Sequence, residues 1–469
     1  MDPGSLILGF KHRSESLEMA SLPILTVLEQ SQVSPPPSTK AQTCLPLSFF
    51  DLAWLHVHPF HHLFFFELPQ LSKTQFTETI APTLKTSLSK TLLHFSPFAG
   101  KLIIDPTGTR NPQIRYIEGD TVSVTIAESN LDFNDLVGNH PRACDKFYPL
   151  IPLLGKAEKV IDYVTIPLFS IQVTFFPNSG FSIGTTNHHG LGDASTRFRF
   201  LEAWSWIARS GSDELFLANG SLPFYDRVIN HPDLDEIYLK RAKLDTFDEK
   251  YQPRCLSGPN DNVRTTLVLT RPIINQMKIF VSTQLPTLQH VSSFTVACAY
   301  FWSCFAKLRS DELQVFGFAV DCRARLEPSI PANYIGNCIA PCGAMAKSNS
   351  LAEKEGFVTA AKLLGESLYK MLNDEDGIMK DAKTWFNFSF EGMPTFITVT
   401  GTPKHKFYDA DFGWGKPKKY ETVSIDYSVA ISLNASKDSD EDLEIGVSLS
   451  RTEMEVFIPI FNEGLENYI

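Results

Sequence analysis

Sustained apolar periodicity runs through most of this chain and fails in one long stretch, residues 209–262, which is polar and rich in Gly, Pro and Asp. On either side of it strand-like alternation and helix-like spacing interleave, the pattern of an α/β architecture. A single hydrophobic core stops growing near roughly 250–300 residues, and this chain has 469. The expectation is two mixed α/β domains, 19–208 and 263–469, joined by a crossover linker at 209–262 with a short helix at 233–243. Residues 1–18, ahead of a second methionine at Met19, read as a disordered extension.

Within the first domain, 61–68 (HHLFFFEL) and 164–175 read as strands, and 76–95 as a helix that Pro82 kinks or restarts. Pro177 to Gly180 form a turn between strands at 171–176 and 181–186. Residues 194–208 form an amphipathic helix with Phe200, Leu201, Trp204, Ile207 and Ala208 on one side. In the second domain, strands at 263–270, 315–322, 395–401, 421–434 and 443–449 alternate with helices at 272–284, 293–308, 351–372 and 451–466.

Bulk chemistry narrows the function. The net charge is −11, from 42 Lys and Arg against 53 Asp and Glu, which argues against a nucleic-acid surface. No apolar run approaches the roughly 20 residues that span a bilayer, so no membrane association is expected. Eight cysteines are scattered without the short paired spacings of a zinc site; Cys338 and Cys342 stand alone. Reduced thiols in a cytoplasmic protein without a metal account for them. Thirty-six Phe fill a core or line an aromatic-friendly cavity. Sequons at Asn219 and Asn387 are expected by chance.

Three His-x-x-x-Asp patterns occur: His189/Asp193, His231/Asp235 and His405/Asp409. His231 lies in the crossover and His405 in a Lys/Tyr-rich loop with no strand to deliver it. His189 follows a strand and precedes a helix, a corner that holds reactive side chains at a sheet edge. Gly190 and Gly192 allow close approach there. Asp193 either orients the imidazole, as in a Ser-His-Asp site, or caps helix 194–208 and pairs with an arginine; the structural role is favoured. Arg197 shares the apolar face of that helix with Phe200 and Leu201. An inward arginine needs an anion, either an internal carboxylate or the carboxylate of a substrate.

Other patterns compete or assist. Gly180-Phe181-Ser182-Ile183-Gly184 matches the G-x-S-x-G of serine hydrolases, but Ser182 lies inside a strand and the helix follows too late. Thr270-Arg271-Pro272 opens a helix whose free N–H groups can take a CoA phosphate. Lys416, Lys418 and Lys419 form a basic cluster that either is solvated or contacts phosphate. It adjoins Asp411-Phe412-Gly413-Trp414-Gly415, which can form a stiff wall of the same cavity.

The His189–Asp193 and Asp411–Gly415 segments, with Asn333-Tyr334-Ile335-Gly336-Asn337-Cys338, resemble the plant BAHD acyltransferases from about Met19 to the C-terminus. Ile335 departs from the phenylalanine common there. Leu45–Asp51, Asp193–Phe198 and Val320–Leu326 resemble the anthocyanin and phenolic-glucoside malonyltransferase branch. The resemblance implies two chloramphenicol-acetyltransferase-like domains with mixed sheets and an interdomain channel, into which CoA and the acceptor enter from opposite faces. It implies a monomer with no cofactor, using malonyl-CoA as co-substrate and a flavonoid or other phenolic glucoside as acceptor. It further implies His189 as general base, Asp193 turned away to pair with an arginine (Arg323 is the candidate), and the Asp411 segment off the reacting centre. A C-terminal strand is expected to cross into the first domain's sheet. The resemblance also makes Trp414 N–H and Ser48 O–H candidate oxyanion donors. The competing readings are a hydroxycinnamoyl-CoA transferase on the same acceptors, a serine hydrolase using Ser182, and a small-molecule carrier.

Overall fold

The computed structural model describes residues 24–37, 42–218, 222–248, 250–289, 291–309, 313–385 and 395–468. The extension at 1–18, Met19 and the Asn219 and Asn387 sequons lie outside the described residues.

The strand Phe60–Glu67 organises the first half. Its run of apolar side chains is buried on both faces, with Phe64 and Phe66 in one core and Leu63 and Phe65 in another. A strand covered on both sides reads as a continuous apolar run. It pairs antiparallel with Gly180–Asn187, in the register Phe60 to Asn187 and Phe66 to Phe181. Together they sit in a six-stranded mixed sheet in the order Leu25–Val33, Val122–Ser129, Phe169–Phe176, Gly180–Asn187, Phe60–Glu67, Lys419–Thr422. The last strand comes from the second half of the chain. Exchange runs the other way too: Arg142–Ala143 adds to Asn262–Leu269 at the edge of the seven-stranded second sheet. Each of these two sheets is thus completed by the other half of the sequence.

The exchanged strands are locked by buried charge. Arg142 lies 2.8 Å from Glu421, and Arg264 lies 3.3 Å from Glu421 and 3.4 Å from Asp426. Burial alone would raise the Glu421 pKa, but the two guanidinium groups hold it at about 2.

Some sequence expectations are refined by packing. The span 164–175 is two strands, Tyr163–Pro167 and Phe169–Phe176. The first belongs to a separate five-stranded sheet with Gln42–Pro46, Gln113–Ile117, Lys101–Ile104 and Glu158–Val160. Pro82 starts a helix, Ala81–His94, after a wider turn at Phe76–Ile80. The span 351–372 divides into Ser348–Ala352 and Gly356–Leu372, and 421–434 contains a 3₁₀ turn, Val423–Tyr427. Helix Ser293–Ala306 is apolar nearly all round and buried almost throughout, as such a helix must be. Among the described residues no helix is long and apolar enough to cross a membrane.

Candidate active site

Strand Gly180–Asn187 delivers the chain to His188, a short 3₁₀ turn, His189–Leu191, and then helix Ala194–Ser210. Gly192 at the corner has φ +150°, and a Cβ there would come within 2.6–2.7 Å of the Thr196 side chain. Both conformation and space therefore require glycine.

Asp193 caps the helix, accepting from the Ser195 and Thr196 amides at 3.1 and 3.2 Å. Its carboxylate also meets Arg323 in a two-point contact at 2.8 and 3.1 Å, and accepts from the Cys338 amide at 3.1 Å. Burial opposes the charge on Asp193, yet Arg323 outweighs it and keeps the pKa below the usual carboxylate range. Asp193 thus faces Arg323, as the N-cap reading requires.

The same arginine donates to the Gly336 carbonyl at 3.0 Å, and the Thr196 hydroxyl bonds both polar backbone atoms of Gly336. Asn337 donates through Nδ2 to the His189 carbonyl at 3.1 Å and to Asp51 at 3.0 Å. The histidine turn is therefore pinned across the seam between the two halves by Arg323 and Asn337.

The His189 ring is 3 % exposed. It stacks on Trp54, with centroids 4.5 Å apart and planes 12° apart, and meets the edge of Phe60 at 4.6 Å. Its Nδ1 has no partner. Burial, then the charge of Arg197, lowers its pKa to about 3. The ring is thus neutral at ordinary pH, as a general base must be, though further below neutrality than an ideal base.

Arg197 is half-buried, its guanidinium 4.4 Å from the Phe60 ring centroid. One nitrogen donates to the Gly192 carbonyl at 3.4 Å, while Nε is buried without an acceptor. Among the described residues no carboxylate lies within ion-pair distance of it. Of the two anions considered for this arginine, the internal one is not found among the described residues.

Several expected participants are engaged elsewhere. The Ser48 hydroxyl donates to Asp51 at 2.9 Å, so its one proton is not free for an oxyanion. Trp414 packs against Phe181 at 5.8 Å, at the opposite end of the strand that leads to His189. Six residues of strand separate Phe181 from Asn187, roughly 20 Å, which removes Trp414 as an oxyanion donor and Asp411–Gly415 as a wall of the His189 site. In that segment Asp411 accepts from the Gly413 and Gly415 amides at 2.8 and 3.0 Å, with φ +105° and +93° at the two glycines. Phe412 plugs between Phe66 and Trp204.

The predicted phosphate contacts also change. At the start of helix Arg271–Gln284 the Arg271 amide donates to Asp442 at 2.7 Å, its guanidinium bonds Glu441, and Thr270 makes no side-chain cap. The anion at that helix end is the protein's own. Lys416 pairs with Asp409 at 2.6 Å and Lys418 with Glu67 at 3.0 Å. Lys419 is buried, bonded to Asn139 and Thr266. Ser182 is buried in mid-strand between Thr174 and Phe65, without the sharp turn a serine nucleophile needs.

Comparison with known proteins fixes the family. The Transferase family model matches residues 24–463. This chain belongs to that family, the BAHD acyltransferases. It is 52% identical over 463 residues to the malonyl-coenzyme A:anthocyanin 3-O-glucoside-6''-O-malonyltransferase of Dahlia pinnata, covering 96% of this chain and 100% of the relative. It is 42% identical to phenolic glucoside malonyltransferase 1 of Nicotiana tabacum, covering 94% and 99%. Among solved structures it resembles vinorine synthase with a TM-score of 0.66 at 20% identity, covering 92% of this chain and 96% of that one. That likeness supports the fold of the two-domain BAHD acyltransferases.

Phe60 and His62 are among the site residues that were not singled out in the sequence. The signal was present: period-two alternation puts both on one face of their strand, and antiparallel pairing sets Phe60 opposite Asn187, beside the histidine turn.

Proposed function

We propose that this protein transfers a malonyl group from malonyl-CoA to a sugar hydroxyl, a primary one, of a flavonoid or other phenolic glucoside. The carrying observation is Arg197: a guanidinium beside His189, over Phe60, without a carboxylate partner among the described residues. A free malonyl carboxylate supplies that partner and sets the thioester next to the imidazole. The names of the Dahlia and tobacco relatives support the same donor and acceptor class.

In this reading the neutral His189 imidazole removes the proton of the acceptor hydroxyl. The oxygen attacks the thioester carbonyl, and the tetrahedral intermediate collapses with loss of CoA thiolate, which takes the proton back from the imidazolium. Positioned proton transfer of this kind contributes typically 10²–10⁴-fold. Asp193, Arg323 and Asn337 hold the turn in place. Bound malonyl also offsets the Arg197 charge that depresses His189, so the correct donor strengthens its own base.

A thiol-release assay with malonyl-, acetyl- and coumaroyl-CoA against a panel of phenolic glucosides tests the proposal. Glucoside-dependent release is expected chiefly with malonyl-CoA. Preferred release from coumaroyl-CoA, or release without an acceptor, contradicts it.

A further inference from the structure

Strand Phe60–Glu67 carries two adjacent histidines with different fates. His61 uses both ring nitrogens, Nδ1 with the Thr186 hydroxyl at 2.8 Å and Nε2 with the Tyr427 hydroxyl at 2.7 Å. His62, on the other face, uses only Nδ1, which meets the Tyr420 hydroxyl at 2.8 Å. Its Nε2 is buried and has no partner.

The hydrogen bonds around Tyr420 are all met with the His62 proton on Nε2. Tyr420 Oη accepts from the Thr422 hydroxyl at 3.4 Å, and its own proton finds an acceptor in His62 Nδ1 at 2.8 Å. A neutral His62 then holds its hydrogen on Nε2. Burial and the nearby Arg197 charge keep the ring uncharged, well below its ordinary pKa. The ring is also fixed in orientation, lying nearly parallel to Tyr420 at 9°, Phe60 at 19° and Phe407 at 20°.

Phe60 places this donor in the site. The same phenyl ring borders His189, His62 and the Arg197 guanidinium. Arg197 Nε is likewise buried without an acceptor. Two neighbouring orphaned N–H donors, each costing about 1–3 kcal/mol when left unmade, call for a shared acceptor that the described residues do not provide.

We propose that His62 Nε2–H is a second donor to the malonyl carboxylate, working beside Arg197 to select a dicarboxylic acyl group. A neutral donor suits this place, since it adds a directed bond without a second positive charge against Arg197. The inference rests on the malonyl reading above.

The test measures binding in a His189→Ala background without a glucoside acceptor, so that no ester forms during the measurement. The ratio of Kd values for acetyl-CoA and malonyl-CoA isolates the carboxylate contribution, and free CoA binding reports an intact fold. His62→Phe is expected to reduce the ratio about 10- to 100-fold. His62→Gln, which retains an N–H near Nε2, is expected to restore most of it. Tyr420→Phe, which frees the tautomer, is expected to reduce it by a smaller factor. If Arg197→Ala collapses the ratio while His62→Phe and Tyr420→Phe leave it unchanged, the His62 proposal is overturned and the malonyl reading stands. If Arg197→Ala leaves the ratio unchanged, the malonyl reading itself fails. Equal weakening of both donors by His62→Phe also overturns the proposal, since that is the behaviour of a donor to the thioester oxygen.

Discussion

Replacing Arg197 with alanine separates a donor-selecting arginine from one that merely packs. The side chain makes two kinds of contact. One is its stacking on Phe60 at 4.4 Å, which steadies the ring against His189 and serves every acyl donor equally. At a partly buried position such a contact is worth about 0.5–1 kcal/mol, roughly two- to fivefold in rate. The other is the proposed bond to the malonyl carboxylate, made only with that donor. Charge-assisted bonds are worth about 1.5–3 kcal/mol each, and partial exposure reduces the pair to about 2–4 kcal/mol, or roughly 30- to 1000-fold in kcat/KM. Steady-state kinetics with malonyl- and acetyl-CoA on one glucoside should therefore show a large loss for malonyl and a small one for acetyl. Arg197→Lys should fall between wild type and alanine for malonyl, because a point charge lacks the planar fork. Equal losses for both donors refute the reasoning and return Arg197 to a packing role.

Two further predictions concern the frame and the base. Asp193→Asn leaves Arg323 only its second, half-exposed carboxylate partner, Asp321 at 3.1 Å, which should cost up to about 3 kcal/mol; the urea midpoint should fall, and because the Asp193 charge raises the His189 pKa its loss should move the acidic limb down, so an unchanged midpoint or an upward shift contradicts the structural role. Free His189 is deprotonated above about 3, so its activity is lost only as pH falls through that value; because bound malonyl offsets Arg197, the acidic limb of kcat should lie at higher pH than that of kcat/KM. In Arg197→Ala the kcat/KM limb should also move up, though burial keeps it below 6.5, and a downward or absent shift contradicts the electrostatic account.

What the sequence disclosed was mostly local. The strand to Asn187, the glycine corner, the Asp193 cap and the inward face of Ala194–Ser210 depend on neighbours a few residues apart, so periodicity and capping chemistry reveal them. The long-range pairs were not visible in that way. Arg323 as partner of Asp193 came from family resemblance, since 130 residues separate them. The cap at Thr270–Arg271 read as a phosphate site because nothing nearby in sequence shows Glu441 and Asp442 folding over it. Lys416, Lys418 and Lys419 looked like one cluster, yet a strand begins at the last of them and turns it into the core. Ser48 and Trp414 were expected as donors from the family resemblance, which does not show where a hydroxyl proton goes or at which end of a strand a loop lands. His62 was overlooked inside an apolar run although its period placed it on the Phe60 face.

The most direct measurement is a single-turnover reaction of malonyl-CoA with a phenolic glucoside, comparing wild type with His189→Ala at matched occupancy of CoA. Removal of the imidazole should slow ester formation at least about 10²-fold, with CoA affinity unchanged. Ester formation at the wild-type rate by the alanine variant would show that another group takes the hydroxyl proton, and that the glycine corner holds His189 for packing alone.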